Sequence, residues 1–233
     1  CKVHKMVKFE GYEFVDGGVC AAEGFTAAGV IAGIKAGNTT KRDLAMIFCA
    51  ERCKAAALYT TNKVKGAPIY VTKKHLEDGC AQAVIVNSGN ANTCNENGIE
   101  IAEQMCELTA EALDIDADDV LVGSTGVIGQ PLSIKPIKAR IPTLAKELSS
   151  KKSSEACEAI MTTDTRKKEV ALQVEIGGKT VTLGAIAKGC GMIAPNMATM
   201  LGFITTDVAI CHELLEKALR KVNSLTYSMV SVD

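Results

Sequence analysis

The chain has 233 residues, 47% of them hydrophobic and 23% charged, which is the balance of an ordinary globular protein and not of a disordered, collagenous or coiled-coil chain. Lys plus Arg number 26 against 27 Asp plus Glu, a formal net charge of −1, and aromatics make up 4% with no Trp. No nucleic-acid partner is therefore expected, because such a protein needs a basic face and stacking rings, and no apolar run approaches the ~18 residues of a membrane span.

In chain order the pattern is mixed. Residues 11–35, GYEFVDGGVCAAEGFTAAGVIAGIK, are Gly-rich and apolar and predict strands with tight turns. LAMIFCAERCKAAALYTT is apolar enough for a strand and Ala-rich enough for a helix. Ala67–Thr72 reads as a strand, and Ala83–Val86 as a short buried strand running into the turn-rich loop Asn87–Asn97, NSGNANTCNEN. Gly98–Leu113 predicts a helix with Ile101, Met105, Leu108 and Ala112 on its apolar side. Asp119–Val122 leads a strand into the loop GSTGVIGQP, and Ile137–Leu148 and Ser153–Met161 read as helices. Glu169–Ile176 and Lys179–Ile186 alternate as a hairpin about Gly177–Gly178. Cys211–Val222 is helical, and the closing SLTYSMVSVD alternates like a strand in progress, which together with a first residue Cys1 suggests a fragment. Strands interleaved with helices give an α/β (α+β) layered domain.

Ten cysteines are scattered without a C-x-x-C pair or zinc spacing, and the opening CKVHKMVKFE has no apolar leader. They read as reduced thiols packed as small hydrophobes, the usage of a cytoplasmic protein, and no metal site is expected.

Three segments are unusual for a plain core. Val122–Pro131 carries Gly123, Ser124, Thr125 and Gly126, a loop whose backbone N–H groups can form a nest for an anion; alone it reads first as a plain turn between a strand and the next element. Ala159–Lys168 places three threonines and an aspartate after a helix end; alone it reads as a helix terminus with solvated cations. Ala187–Asp207, AKGCGMIAPNMATMLGFITTD, matches the loose G-x-G-x-x-A pattern, but Pro195 follows where a helix should open, so nucleotide binding is set aside. What this segment does offer is a threonine nucleophile. Cleavage before Thr199 would release an α-amine of pKa about 7.7–8.0, able to take the hydroxyl proton without any histidine.

KGCGMIAPNMATMLGFITTD resembles the self-cleavage segment of the glutamate N-acetyltransferase (ornithine acetyltransferase) family of arginine biosynthesis. GFTAAGVIAGIK, YTTNKVKGAPIYV, AVIVNSGNAN, VGSTGVIGQPL and IMTTDT resemble further segments of that family in the same order, from about Gly11 to Asp233. The resemblance implies an αββα sandwich like that of N-terminal-nucleophile hydrolases. It implies self-cleavage between Ala198 and Thr199, with Thr199 as the nucleophile that carries acetyl as an ester. It makes Thr125 and Gly126 the oxyanion pair, and Thr162 and Lys188 substrate contacts beside Thr199. It divides the chain into residues 1–198, the α portion, and 199–233, the start of a β portion that in the family continues past VSVD. The implied substrates are N-acetylornithine and glutamate, the implied partner is the protein's own β chain in an α2β2 heterotetramer, and no cofactor is expected. Acetyl-CoA is a co-substrate in some members, and the sequence leaves that point open. Self-cleavage uses no free substrate and is not expected to need Lys188. Two other readings stay open on the residues themselves: a self-processing N-terminal-threonine amidohydrolase or aminopeptidase, and a non-catalytic α/β binding domain.

Overall fold

A computed structural model of the chain describes residues 11–190 and 197–229. It contains two four-stranded sheets. One has the order β2-β3-β4-β5, with β2 Phe25–Val30, β3 Leu44–Lys54, β4 Cys80–Asn90 and β5 Val120–Val127. Its first two pairings are antiparallel and β4–β5 is parallel. The other is fully antiparallel in the order β1-β6-β7-β8, with β1 Tyr12–Val15, β6 Lys168–Ile176, β7 Lys179–Lys188 and β8 Leu201–Thr206.

The alternation of β3 explains the layering. Leu44 and Met46 face a core shared with Ile85, Val120 and Val122 and with the helices α1 Ala67–His75, α2 Gly98–Leu113 and α3 Ile134–Lys146. Ala45 and Ile47, one residue out of phase, face the opposite way, toward Val86 and, from the second sheet, Ile186, Leu201 and Phe203. A strand buried on both faces shows no polar alternation, which is why this stretch reads ambiguously as sequence. The helix α4, Ser153–Ile160, enters the space between the sheets. Its small Ala156, Cys157 and Ala159 are fully buried there and allow close approach. On the outer face of the second sheet the Tyr227 ring lies over Gly202, after α5, His212–Leu225. The layers follow the expected αββα order.

The hairpin about Gly177–Gly178 and the helix Gly98–Leu113 fall where the sequence puts them. Four expectations change. Ala67–Thr72 is helical, not extended, with Pro68 in the first turn where its missing N–H costs nothing. The helix shields the edge strand β5. The Thr72 hydroxyl donates to the Val122 carbonyl at 2.9 Å and accepts its N–H at 3.1 Å, and His75 Nδ1 lies 2.7 Å from the Val120 carbonyl. Strands β4 and β5 run further than expected, so Asn87–Asn90 and Ser124–Val127 are ladder residues and not loop. Ala112 is exposed, and the buried side of α2 is Ile101, Ala102, Met105, Cys106, Thr109 and Ala110. The closing segment is not a strand where described: Ser224 and Leu225 end α5, and Tyr227–Met229 form a 3-10 turn. Residues 230–233, the segment holding Pro195, and Cys1 lie outside the described residues. Every cysteine within them is a free thiol, and no helix among them is long and apolar enough to cross a membrane.

Candidate active site

Lys188 is the last residue of β7 and pairs with Leu201 of β8. It shares a strand face with Ile186, which packs between the sheets, and its side chain is drawn inward: the residue is 3% exposed. A buried ammonium must spend its donors on acceptors. Lys188 Nζ donates to the Gly189 carbonyl and to the Thr199 carbonyl, each at 2.8 Å. Burial holds this ammonium below the ordinary lysine value. Asp164 and Cys190 oppose that shift, and Lys168 and Lys41 add to it.

Thr199 sits on a turn that is strained in two ways. Its φ is +66°, in the left-handed region that a β-branched residue rarely occupies, and Met197 two residues earlier has φ +61°. Its hydroxyl is buried with no hydrogen-bond partner. Strained backbone costs on the order of 1–3 kcal/mol per residue, and an orphaned buried hydroxyl about 1–3 kcal/mol more. Both penalties fall on the residue that follows the Ala198–Thr199 bond. Such features persist only where the surroundings impose them, and they gather at reactive sites.

Thr162 follows α4. Its carbonyl accepts Lys41 Nζ at 2.7 Å, and its N–H reaches Asp164 Oδ2 at 3.3 Å. Asp164 Oδ1 accepts the Gly189 N–H at 2.8 Å and Lys168 Nζ at 2.6 Å. Burial pushes the Asp164 carboxyl up. Lys168 and the N–H groups of Gly189 and Thr162 outweigh it and hold the group below the ordinary carboxylate value. Thr162, Lys188 and Thr199 are thus linked by one network.

Thr125 and Gly126 form a second group, on β5. Thr125 is buried. It lies on the same strand face as Gly123, whose missing Cβ would stand 3.9 Å from the Phe203 ring of β8. That face therefore looks across the interlayer space at the strand that continues from Thr199. Gly126 has φ +132°, and a Cβ there would lie 2.3 Å from the Gly89 carbonyl carbon, so no other residue fits. The ladder shifts register at this point, with Asn90 opposite both Thr125 and Val127. Asparagine amides pin the irregularity: Asn87 Nδ2 donates to the Asn90 carbonyl at 2.9 Å, and Asn90 Nδ2 to the Gln130 carbonyl at 3.0 Å. No hydrogen bond joins Thr125 or Gly126 to Thr199 among the described residues.

Sequence reasoning passed over Lys41 and Asp43, and it noted Asp164 and Lys168 only as part of the segment Ala159–Lys168, without a role in the site. The buried Asp43 carboxylate gathers the N–H groups of Ala32, Gly33 and Ile34 and the Asn38 amide. This fixes the loop that delivers Lys41 to Thr162. A lone aspartate after a Lys-Arg pair was the available signal. Lys168, read as a solvated cation at a helix end, opens β6 and is about half exposed, and it also bonds Asp164.

The ArgJ family profile matches residues 26–233, and the chain belongs to the ArgJ family. The arginine biosynthesis bifunctional protein ArgJ of Symbiobacterium thermophilum is 50% identical over 222 residues, 95% of this chain and 55% of that protein. The protein of the same name from Caldanaerobacter subterraneus is 45% identical over 222 residues, 95% of this chain and 54% of that protein. The chain thus spans about half the length of the curated relatives it matches. A crystal structure of the argJ protein from Bacillus halodurans superposes with a TM-score of 0.72 at 39% identity, covering 78% of this chain and 95% of that one. The ornithine acetyltransferase of Mycobacterium tuberculosis, solved in complex with ornithine, gives 0.71 at 38% identity, covering 82% and 100%.

Proposed function

We propose that the chain is the N-terminal part of a self-processing acetyltransferase that moves acetyl from N2-acetyl-L-ornithine to L-glutamate. The observation that carries this reading is Thr199: a β-branched residue at positive φ, its hydroxyl buried and unpartnered, in a family whose relatives are named for arginine biosynthesis.

In the uncut chain the Thr199 hydroxyl attacks the Ala198 carbonyl carbon, and the acyl group moves from the Thr199 nitrogen to its oxygen. Water then hydrolyses that ester and leaves Thr199 with a free α-amine. Relief of the positive φ and of the orphaned hydroxyl favours the step. In turnover the amine takes the hydroxyl proton, and Oγ1 attacks the acetyl carbonyl of N-acetylornithine. The developing oxyanion is held at Thr125 and Gly126. Ornithine leaves with the proton, and the acetyl-Thr199 ester remains. The glutamate amine attacks that ester, N-acetylglutamate leaves, and the hydroxyl is restored. Both substrates carry an α-carboxylate, for which Lys188 is the buried cation at the site, with Thr162 beside it.

On this reading residues 1–198 form the α portion and 199–233 open the β portion, the two associating as an α2β2 heterotetramer in the cytoplasm. No cofactor takes part, and acetyl-CoA is a candidate second acetyl donor. The test incubates the full-length polypeptide with N-acetylornithine, with and without glutamate. Ornithine release that depends on glutamate, with stoichiometric N-acetylglutamate, supports transfer. Release of free acetate at the same rate without glutamate makes the protein a hydrolase.

A further inference from the structure

We infer that Asp164 is a positioning residue, whose carboxylate takes the Thr162 N–H on one oxygen and the Gly189 N–H on the other and so fixes Thr162 and Lys188 relative to each other and to Thr199. The assignment rests on the proposed function, in which Thr162 and Lys188 contact substrate.

The geometry carries it. Thr162 lies past the end of α4 and Gly189 past the end of β7, on different layers, with no ladder between them to set their spacing. Asp164 spans that gap, with its side chain 4% exposed. Its Oδ1 lies 2.8 Å from Gly189 N, and its Oδ2 lies 3.3 Å from Thr162 N. Gly189 immediately follows Lys188, and its carbonyl takes the same ammonium that holds the Thr199 carbonyl. The approach is tight: a Cβ on Gly189 would sit 3.1 Å from Asp164 Oδ1. A displaced carboxylate would therefore release the backbone on both sides at once. Electrostatics agree. Of the charged and titratable groups facing Lys188, which are Asp164, Cys190, Lys168 and Lys41, the carboxylate at 164 is the largest influence favouring the ammonium.

The test uses the full-length polypeptide and three variants, Asp164→Asn, Asp164→Glu and Lys168→Met. It reads the Lys188 titration from its 13Cε resonance, assigned by loss in Lys188→Met, together with KM and kcat for both substrates. Asp164→Asn removes the carboxylate charge. It should move the Lys188 midpoint to lower pH and raise both KM values about tenfold or more, the scale of a lost charge-assisted contact, with kcat within about threefold. Lys168→Met removes a like charge and should move the midpoint the other way. Asp164→Glu keeps the charge but lengthens the arm. It should leave the midpoint near the wild-type value while raising KM, and it serves in its own right if the Asn variant does not fold. An unchanged midpoint or unchanged KM values in Asp164→Asn, or a Glu variant that binds both substrates like wild type, overturn the assignment. If the wild-type protein transfers no acetyl group, the reading of Thr199 fails, and the titration alone then decides whether Asp164 governs Lys188.

Discussion

Replacing Lys188 by Met isolates what the buried ammonium does for Thr199. The side chain keeps its reach and apolar stem, but the bonds to the Gly189 and Thr199 carbonyls, each 2.8 Å, disappear. A hydrogen bond to a charged group contributes about 1.5–3 kcal/mol. The bond to Thr199 holds the residue whose hydroxyl, on the proposed function, attacks Ala198, one peptide upstream. The bond is already made in the uncut chain, so its loss slows the cut only by as much as the bond strengthens in the transition state of self-cleavage, with a ceiling of about 10- to 100-fold if its full worth is gained there, at about 1.4 kcal/mol per decade. On this argument Lys188 would serve processing as well as substrate, against the expectation from the sequence that self-cleavage does not need it. The assay follows conversion of freshly made full-length polypeptide into two chains by denaturing electrophoresis and mass spectrometry. A Lys188→Met protein that is folded and cuts at the wild-type rate would refute the reasoning and return Lys188 to a contact for substrate alone.

Thr125→Ala in the full-length protein should lower turnover by about 10²–10³ if the side chain donates to the oxyanion, as steady-state kinetics would show; a small loss would leave the role to backbone N–H groups. Gly126→Ala should destabilise the fold by about 1–3 kcal/mol or more, because the added Cβ meets the Gly89 backbone 2.3 Å away at φ +132°; a urea midpoint within error of wild type would mean that β4 moves aside freely. Asp164 gives a pH dependence. Its folded-state pKa lies below the ordinary value of 3.8, so the ionised form favours folding. That contribution is complete above 3.8 and is lost as the pH falls through the lower folded value. Asp164→Asn should therefore lower stability at neutral pH and flatten the acid limb of a stability–pH curve; a limb as steep as that of wild type would argue against the shift.

Much of the fold is legible from local signals. The Gly177–Gly178 hairpin and the helix Gly98–Leu113 carry periodicity and turn chemistry within a single window. Ala67–Thr72 does not, because six residues of apolar and β-branched character fit either element, and what decides is β5, whose edge needs Thr72 and His75. The ends of β4 and β5 were equally hidden. Asn and Gly ordinarily punctuate loops, and here they build an irregular ladder in which each amide meets a particular carbonyl. At the site, Thr199, Lys188, Thr162, Thr125 and Gly126 were legible as segments with an unusual mix of residues and, by resemblance, as members of a family's site. Lys41 was not singled out and Asp164 was noted without a role, since their importance lies in bridging segments distant in sequence, and a single charged residue in a polar loop looks solvated until its partners are known.

The central claim is that Thr199 becomes an N-terminal nucleophile. The most direct measurement is mass spectrometry of the purified full-length polypeptide and of its Thr199→Ala variant, each before and after exposure to N-acetylornithine without glutamate. The account predicts two wild-type chains, the second beginning at Thr199 and gaining the mass of one acetyl group on exposure, and a Thr199→Ala protein that stays uncut and unacetylated. Cleavage of the variant before residue 199, or a wild-type second chain that acquires its acetyl group elsewhere than Thr199, would contradict it.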